Sequence, residues 1–171
     1  MKIYTKRGDL GETDLISRRV IKSNLAIHLV GEIDEASARL ALCKHYIDDE
    51  NILQKLSEVD HYLFLISSII VDEEDKLKIR IPESAITQLE QDIDEMDKVL
   101  PSLKRFITYD GGIDAIQVSL LRTQVRKVER LLVDYPTHEL VLKYMNRLSD
   151  YLYTLMRYMN FIQNIEETKR S

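Results

Sequence analysis

The sequence predicts an all-α fold, a five-helix bundle, and three observations carry the prediction. Gly (5) and Pro (3) are scarce among 171 residues, so few positions turn the chain sharply. From residue 24 onward apolar residues recur at alternating steps of three and four, the spacing of one helical face. These recurrences break into five series. Five helices, each with one apolar stripe, must bury those stripes against one another.

The first series is Leu29, Ile33, Ala36, Leu40, Cys43 and Ile47, and the second is Ile52, Leu56, Val59, Leu63, Ile66 and Ile70. The third, Ile86, Leu89, Ile93, Met96 and Leu100, opens near Pro82 and is closed by Pro101, since proline suits a first turn and breaks an interior one. The fourth, Val118, Leu121, Val125, Val128 and Leu132, is entered through Gly111-Gly112. Asp114 and Gln117 there are spaced as a capping box. The fifth, Val141, Met145, Leu148, Leu152, Leu155, Met159 and Ile162, follows Pro136, with Thr137 as its expected N-cap.

Residues 1–23 precede the bundle as a charged loop with no helical period; 24–165 form the bundle and 166–171 a tail. No repeat, low-complexity segment or linker divides the chain, so a single domain spans 1–171. The run Asp72-Glu73-Glu74-Asp75-Lys76 reads as a solvated loop.

Composition excludes several function classes. A net charge of −5 opposes a nucleic-acid partner, whose phosphates call for a basic surface. Cys43 is the single cysteine, which rules out an intramolecular disulfide framework and a multi-thiolate zinc site. It lies on an apolar stripe and reads as core, and no Ser/His/Asp or Cys/His set accompanies it. The opening Met1-Lys2-Ile3-Tyr4-Thr5-Lys6 lacks a signal-peptide core, and no window approaches the ~18 apolar residues of a membrane span. A cytoplasmic protein without membrane contact is expected.

Four constellations carry chemistry. In the loop from Thr5 to Thr13, Gly8 and Gly11 let the backbone approach a ligand, and Lys6, Arg7 and later Lys22 supply positive charge. That suits a polyphosphate, although the Walker pattern G-x-x-x-x-G-K-S/T is absent; a charged tail has the same composition. On helix four, Arg122, Arg126 and Glu129 fall at i, i+4 and i+7, and Arg130 extends them. Two arginines one turn apart can grip phosphate oxygens, with a carboxylate fixing their rotamers, or the set is an ordinary salt-bridged face. On helix five, Asn146, Asp150, Tyr153 and Arg157 share one face, to orient a ligand or to make inter-subunit contacts. Glu58-x-x-His61 is half of a di-iron motif that His28, His45 and His138 do not complete.

Together these pieces resemble the PduO-type ATP:corrinoid adenosyltransferases. Tyr4-Thr5-Lys6-x-Gly8-Asp9-x-Gly11-x-Thr13 resembles the start of that family, with Arg19 and Lys22 in register. Gly31-x-Ile33-Asp34-Glu35 resembles its G-T-x-D-E segment, and Phe106-Ile107 followed by Gly111 its F-I-L-P-G-G. Arg122-Thr123-x-x-Arg126-x-x-Glu129-Arg130 resembles R-T-x-x-R-R-x-E-R, and Asn146-Arg147-Leu148-Ser149-Asp150-Tyr151-Leu152 reproduces N-R-L-S-D-Y-L. The matches come in the family's order, from residue 4 to about residue 160.

The resemblance implies transfer of the 5′-deoxyadenosyl group of ATP to the cobalt of reduced cobalamin, in a homotrimer with active sites between subunits. It implies an ATP set of Thr5, Lys6, Gly8, Asp9, Gly11, Thr13, Lys22, Arg126 and Asn146, with Glu129 and Arg130 alongside. Asp34 is expected to pair with Arg122 across the subunit boundary, and Phe106 to pack against the corrin and keep the lower axial base from cobalt. Magnesium would arrive mainly on ATP, and a reductase or a cobalamin-dependent acceptor enzyme is the expected protein partner. The chain departs from the family's pattern at Arg7, Asp14, Ser17-Arg18, Glu32, Ala36-Ser37, Tyr109-Asp110 and Lys127. Asp14 and Glu32 would oppose a triphosphate unless Arg7, Arg18 or a cation compensates, which gives the alternative expectation of a weakened paralogue that binds corrinoid or nucleotide without turnover.

Overall fold

The computed structural model describes residues 2–170 and contains five helices where the five apolar series lie. They are α1 (Leu25–His45), α2 (Glu50–Val71), α3 (Glu83–Asp97), α4 (Ile113–Leu132) and α5 (Glu139–Ile162). Most of the predicted stripes are buried, with Leu29, Leu40, Leu63, Ile70, Ile86, Leu121, Val125, Leu148 and Leu152 at 2% exposure or less. Ile93 and Met96 of α3 are half-buried, Leu100 lies beyond the end of α3, and Ile162 at the end of α5 is exposed. Cys43 is buried too, and burial pushes its thiol up to about 12, so it is an inert core residue. The start of α4 touches the end of α5 (Gly112 N–H to Asn160 Oδ1, 3.0 Å), while Glu129 near the end of α4 meets Asn146 near the start of α5. These two helices are therefore antiparallel. α1 lies on α4, α3 lies on α5, and α2 lies on α1.

Real side-chain caps close α1 and α2: Asn24 accepts from Ala26 N–H, and Asp49 from Asn51 and Ile52 N–H. Two expected caps differ. Asp114 does not form a capping box, because Gly112 is the N-cap and the Asp114 carboxylate turns to Ala115 N–H and to the Gln163 amide. His138, not Thr137, is the N-cap of α5, and the Thr137 hydroxyl is buried without a partner among the described residues. Gly111 has φ +108°, and a Cβ there would run into the Asn160 amide. The close approach lets Asn160 bind both Gly112 N–H and the Asp110 carbonyl, which ties the entry of α4 to α5.

The N-terminal segment is more ordered than a loop. β1 (Glu12–Asp14) and β2 (Arg19–Ile21) pair antiparallel, with Glu12 opposite Ile21 and Thr13 opposite Val20. Leu15 and Val20 anchor this hairpin in the core. Ile16 N–H reaches the Val71 carbonyl, and Arg18 grips Glu73 with two hydrogen bonds of 2.7 and 2.9 Å. The acidic run is accordingly built rather than merely solvated. Asp72 is buried and accepts from Lys76 and Leu77 N–H, and Asp75 holds Arg80.

The tail is likewise engaged. Thr108 N–H donates to the Thr168 carbonyl, Arg170 N–H to the Phe106 carbonyl, and Ile107 bridges to Lys169. Among the described residues no helix is long and apolar enough to cross a membrane.

Candidate nucleotide and corrin site

The face shared by α4 and α5 gathers most of the predicted polar residues. Arg122 is held from three sides: its Nε donates to the Ser149 carbonyl at 3.3 Å, its Nη1 to the Tyr109 hydroxyl at 3.1 Å, and its guanidinium lies 4.8 Å from the Tyr153 ring centre. Such a fork is fixed before any ligand arrives. One turn on, Arg126 is exposed and makes no hydrogen bond or ion pair among the described residues, and the same is true of Arg130. Glu129 does not steer the arginines as expected. Its carboxylate accepts from the Asn146 amide at 2.8 Å. From Arg122 to Arg130 the helix rises about 12 Å at 1.5 Å per residue.

The N-terminal loop is shaped around its glycines. Gly11 takes φ +81° and Lys6 φ +60°. Gly11 N–H bonds the Gly8 carbonyl, and Lys22 N–H bonds the Gly11 carbonyl at 2.8 Å. The Lys22 ammonium lies directly over Gly8, where a Cβ would stand 3.2 Å from Nζ. Thr5, Lys6, Asp9 and Lys22 are exposed on this loop, and Thr13 lies within β1. The cationic loop is thus folded, with its lysine drawn back across it.

The two unfavourable charges are paired. Asp14 is flanked by Arg7 and Arg19, each at 3.1 Å, while Arg18 is committed to Glu73. Glu32 is buried between α1 and α4. It accepts from Lys127 Nζ at 2.7 Å and from Gln124 Nε2 at 2.7 Å, and lies 3.1 Å from His28 Nε2. The Lys127 ammonium, aided by Gln124 against the effect of burial, holds this carboxyl below its usual range. Two of the departures, Glu32 and Lys127, therefore answer each other.

Phe106 stands at the other end of the α4/α5 face and is 82% exposed, although the next residue, Ile107, is buried. The tail holds its backbone, and the tail is itself held by Arg157. That buried guanidinium binds Glu167 at 2.5 Å and the Pro101 carbonyl at 2.6 Å. The Thr108 hydroxyl, with Thr168, lowers the Asp110 carboxyl. Asp34 is exposed beside Gly31 and Phe64 in the groove between α1 and α2, and pairs with no arginine of its own chain among the described residues. Tyr109, Gln124 and the Arg157–Glu167 pair were not singled out by spacing for these contacts, because their partners are distant in sequence.

Comparison with known proteins agrees with this geometry. A model of the cobalamin adenosyltransferase family matches residues 3–159. The chain is 32% identical over 168 residues to the corrinoid adenosyltransferase of Bacillus subtilis, covering 94% of this chain and 87% of that one. It is 33% identical to the corrinoid adenosyltransferase PduO of Salmonella typhimurium, covering 92% of this chain but 49% of the relative. Among solved structures, a variant of the PduO-type ATP:corrinoid adenosyltransferase from Lactobacillus reuteri, complexed with cobalamin and ATP, superposes with a TM-score of 0.93 at 28% identity, covering 99% of each chain.

Proposed function

The chain belongs to the cobalamin adenosyltransferase family, and from that premise we propose how its own residues divide the work of the reaction. It is an ATP:corrinoid adenosyltransferase, which moves the 5′-deoxyadenosyl group of ATP to the cobalt of reduced cobalamin. Cobalt in its +1 state supplies the electron pair to C5′ of the ribose, a cobalt–carbon bond forms, and the C5′–O bond breaks to release triphosphate. No side chain has to act as nucleophile or base. The protein must orient C5′ over cobalt and neutralise the leaving triphosphate.

Arg126 is the residue we assign to that charge. It stands exposed one turn from the immobilised Arg122 and has no competing partner among the described residues. Asn146, oriented by Glu129, and Arg130 extend the same face. Thr5, Lys6, Gly8, Asp9, Gly11, Thr13 and Lys22 wrap the phosphates from the N-terminal loop, with Lys22 swinging off Gly8 to do so. Magnesium would enter on the triphosphate and share its charge.

The exposed Asp34 and the fixed Arg122 lie on different faces of one chain. We assign them to each other across the boundary of a homotrimer, in which one subunit's loop closes on its neighbour's arginine face. Phe106 occupies the lower face of the corrin. A reductase delivers the electron, and the reaction takes place in the cytoplasm.

The alternative of a binding protein without turnover draws on the negative charges at Asp14 and Glu32. Both are neutralised within the chain, which removes the observation that favoured it.

The test is to incubate the protein with ATP, magnesium and chemically reduced cobalamin and follow adenosylcobalamin by its spectrum. Arg126→Ala is expected to lower kcat/KM for ATP about 30-fold, the loss of charge-assisted contacts of about 2 kcal/mol. Unchanged ATP kinetics in that variant would move the triphosphate elsewhere.

A further inference from the structure

A groove on the far side of the bundle takes no part in the chemistry above. α2 meets α3 and α5 there through long side chains, and two hollows of about 230 and 320 Å³ adjoin along the seam. They share Lys55, Asp92 and Tyr151, so they form one elongated groove with a waist. No residue given a role in binding ATP or corrin lines either hollow.

The lining is acidic and aromatic. Glu58 and Asp92 line one hollow and Asp49, Asp92 and Glu95 the other, against the single cation Lys55. Asp49 also caps α2, and Glu95 also binds Lys98 at 2.6 Å. Glu58 and Asp92 share the Lys55 ammonium at the loose distances of 3.8 and 3.4 Å. Tyr62 and Tyr144 form one aromatic wall, with ring centres 5.1 Å apart.

Tyr144 and Tyr151 supply a separate observation. They are only 1% and 3% exposed, both line the groove, and neither hydroxyl makes a hydrogen bond among the described residues. Neither phenol oxygen is closed off from the hollow that both residues line, so each presents an unengaged hydrogen-bonding group to whatever fills it.

We propose that this groove binds a linear organic polycation of the polyamine class. Its ammonium groups bond Asp92 at the waist and Glu58 in the hollow beside it, and donate to the phenol oxygens of Tyr144 and Tyr151, while its methylenes lie on the tyrosine rings. Aromatic faces attract ammonium ions, and the excess of carboxylates selects positive charge. The two hollows in line suit an extended chain rather than a compact ion. Lys55, loosely held, swings aside.

The experiment is a calorimetric titration of the full chain with spermidine, without ATP and at fixed ionic strength. One site with Kd below about 1 mM is expected, and Asp92→Asn and Tyr151→Phe should each weaken it about tenfold, one charge-assisted hydrogen bond. Asp134→Asn, an exposed carboxylate away from the groove, should leave it unchanged. Equal weakening by Asp134→Asn, or absence of a saturable site, means that spermidine merely screens the net charge and overturns the proposal. Free Tyr151→Phe should melt no lower than the wild type, because its hydroxyl has no partner to lose. A lower Tm would show the phenol already engaged within the fold, and would equally overturn it.

Discussion

Phe106→Ala is expected to lower kcat roughly a hundredfold, about 2.7 kcal/mol of transition-state stabilisation, while the bundle remains fully folded. The two halves of that expectation come from separate observations. The ring is 82% exposed, so removing it takes almost no apolar surface out of the core, and Tm should stay within about 1 °C. Its backbone is nonetheless pinned, by the tail pairing at residues 106–108 and by Arg157 beneath.

An exposed aromatic on a pinned backbone is a poor stabiliser and a good wedge. If a corrin lies against it as proposed, the ring would keep the lower axial base and water from cobalt. Loss of an axial ligand lowers the energy of the added electron, so the +1 state becomes accessible. Alanine leaves that space open to a ligand. The measurement is kcat at saturating ATP, starting from cobalamin in the +2 state with a reductant present so that the +1 state must form on the protein, with ATP affinity followed by calorimetry. Phe106→Leu, which keeps an apolar group in place, should retain more activity than Phe106→Ala. A kcat within threefold of wild type for Phe106→Ala would reject the wedge.

What was legible in the sequence was what repeats or is local. Five apolar stripes of period 3.6 placed the helices, since each stripe has one face to bury. The polar faces of α4 and α5 were legible because fixed spacings put their residues on one side of each helix. The hairpin was not: Glu12-Thr13-Asp14 and Arg19-Val20-Ile21 are too short to show a period of two, and docking of Leu15 and Val20 decides their conformation. The cap of α4 went astray for a related reason. Asn160 and Gln163, far along the chain, take over the entry of α4.

Pairing over long separations was invisible as well. Glu32 stood out as a charge that would repel phosphate, and Lys127 as a separate departure from the family's pattern. Only the packing of α1 on α4 shows that the two belong together. One signal was present: Gln124 and Glu32 are polar residues beside apolar stripes on two helices, and buried polar groups seek one another.

Lys127→Met is expected to cost about 2 kcal/mol of stability at pH 7, because Glu32 then keeps its charge with fewer donors around it. Glu32→Gln should cost less, about 1 kcal/mol, since no unpaired charge is left buried. The double variant should fall short of the sum, the sign of a direct pair. The acid dependence separates this pair from ordinary packing. Lys127 holds the Glu32 carboxyl below its unfolded value, so the folded state favours the ionised form. That contribution is complete above the unfolded carboxylate range, near pH 4.3, and is lost as pH falls from there through the folded value.

The stability difference between wild type and Lys127→Met should therefore be flat from about pH 8 to 6 and narrow below about pH 4. Denaturant midpoints across that range measure it. A difference that persists undiminished at pH 3 would assign Lys127 to packing alone. The consequence reaches the site through α4. Gln124 and Lys127 lie on either side of Arg126 in sequence, and both bind one carboxylate of α1, two residues before Asp34. The same pair that cancels an unfavourable charge thus fixes the register of α1 on α4, and with it the spacing between Asp34 and the arginine face.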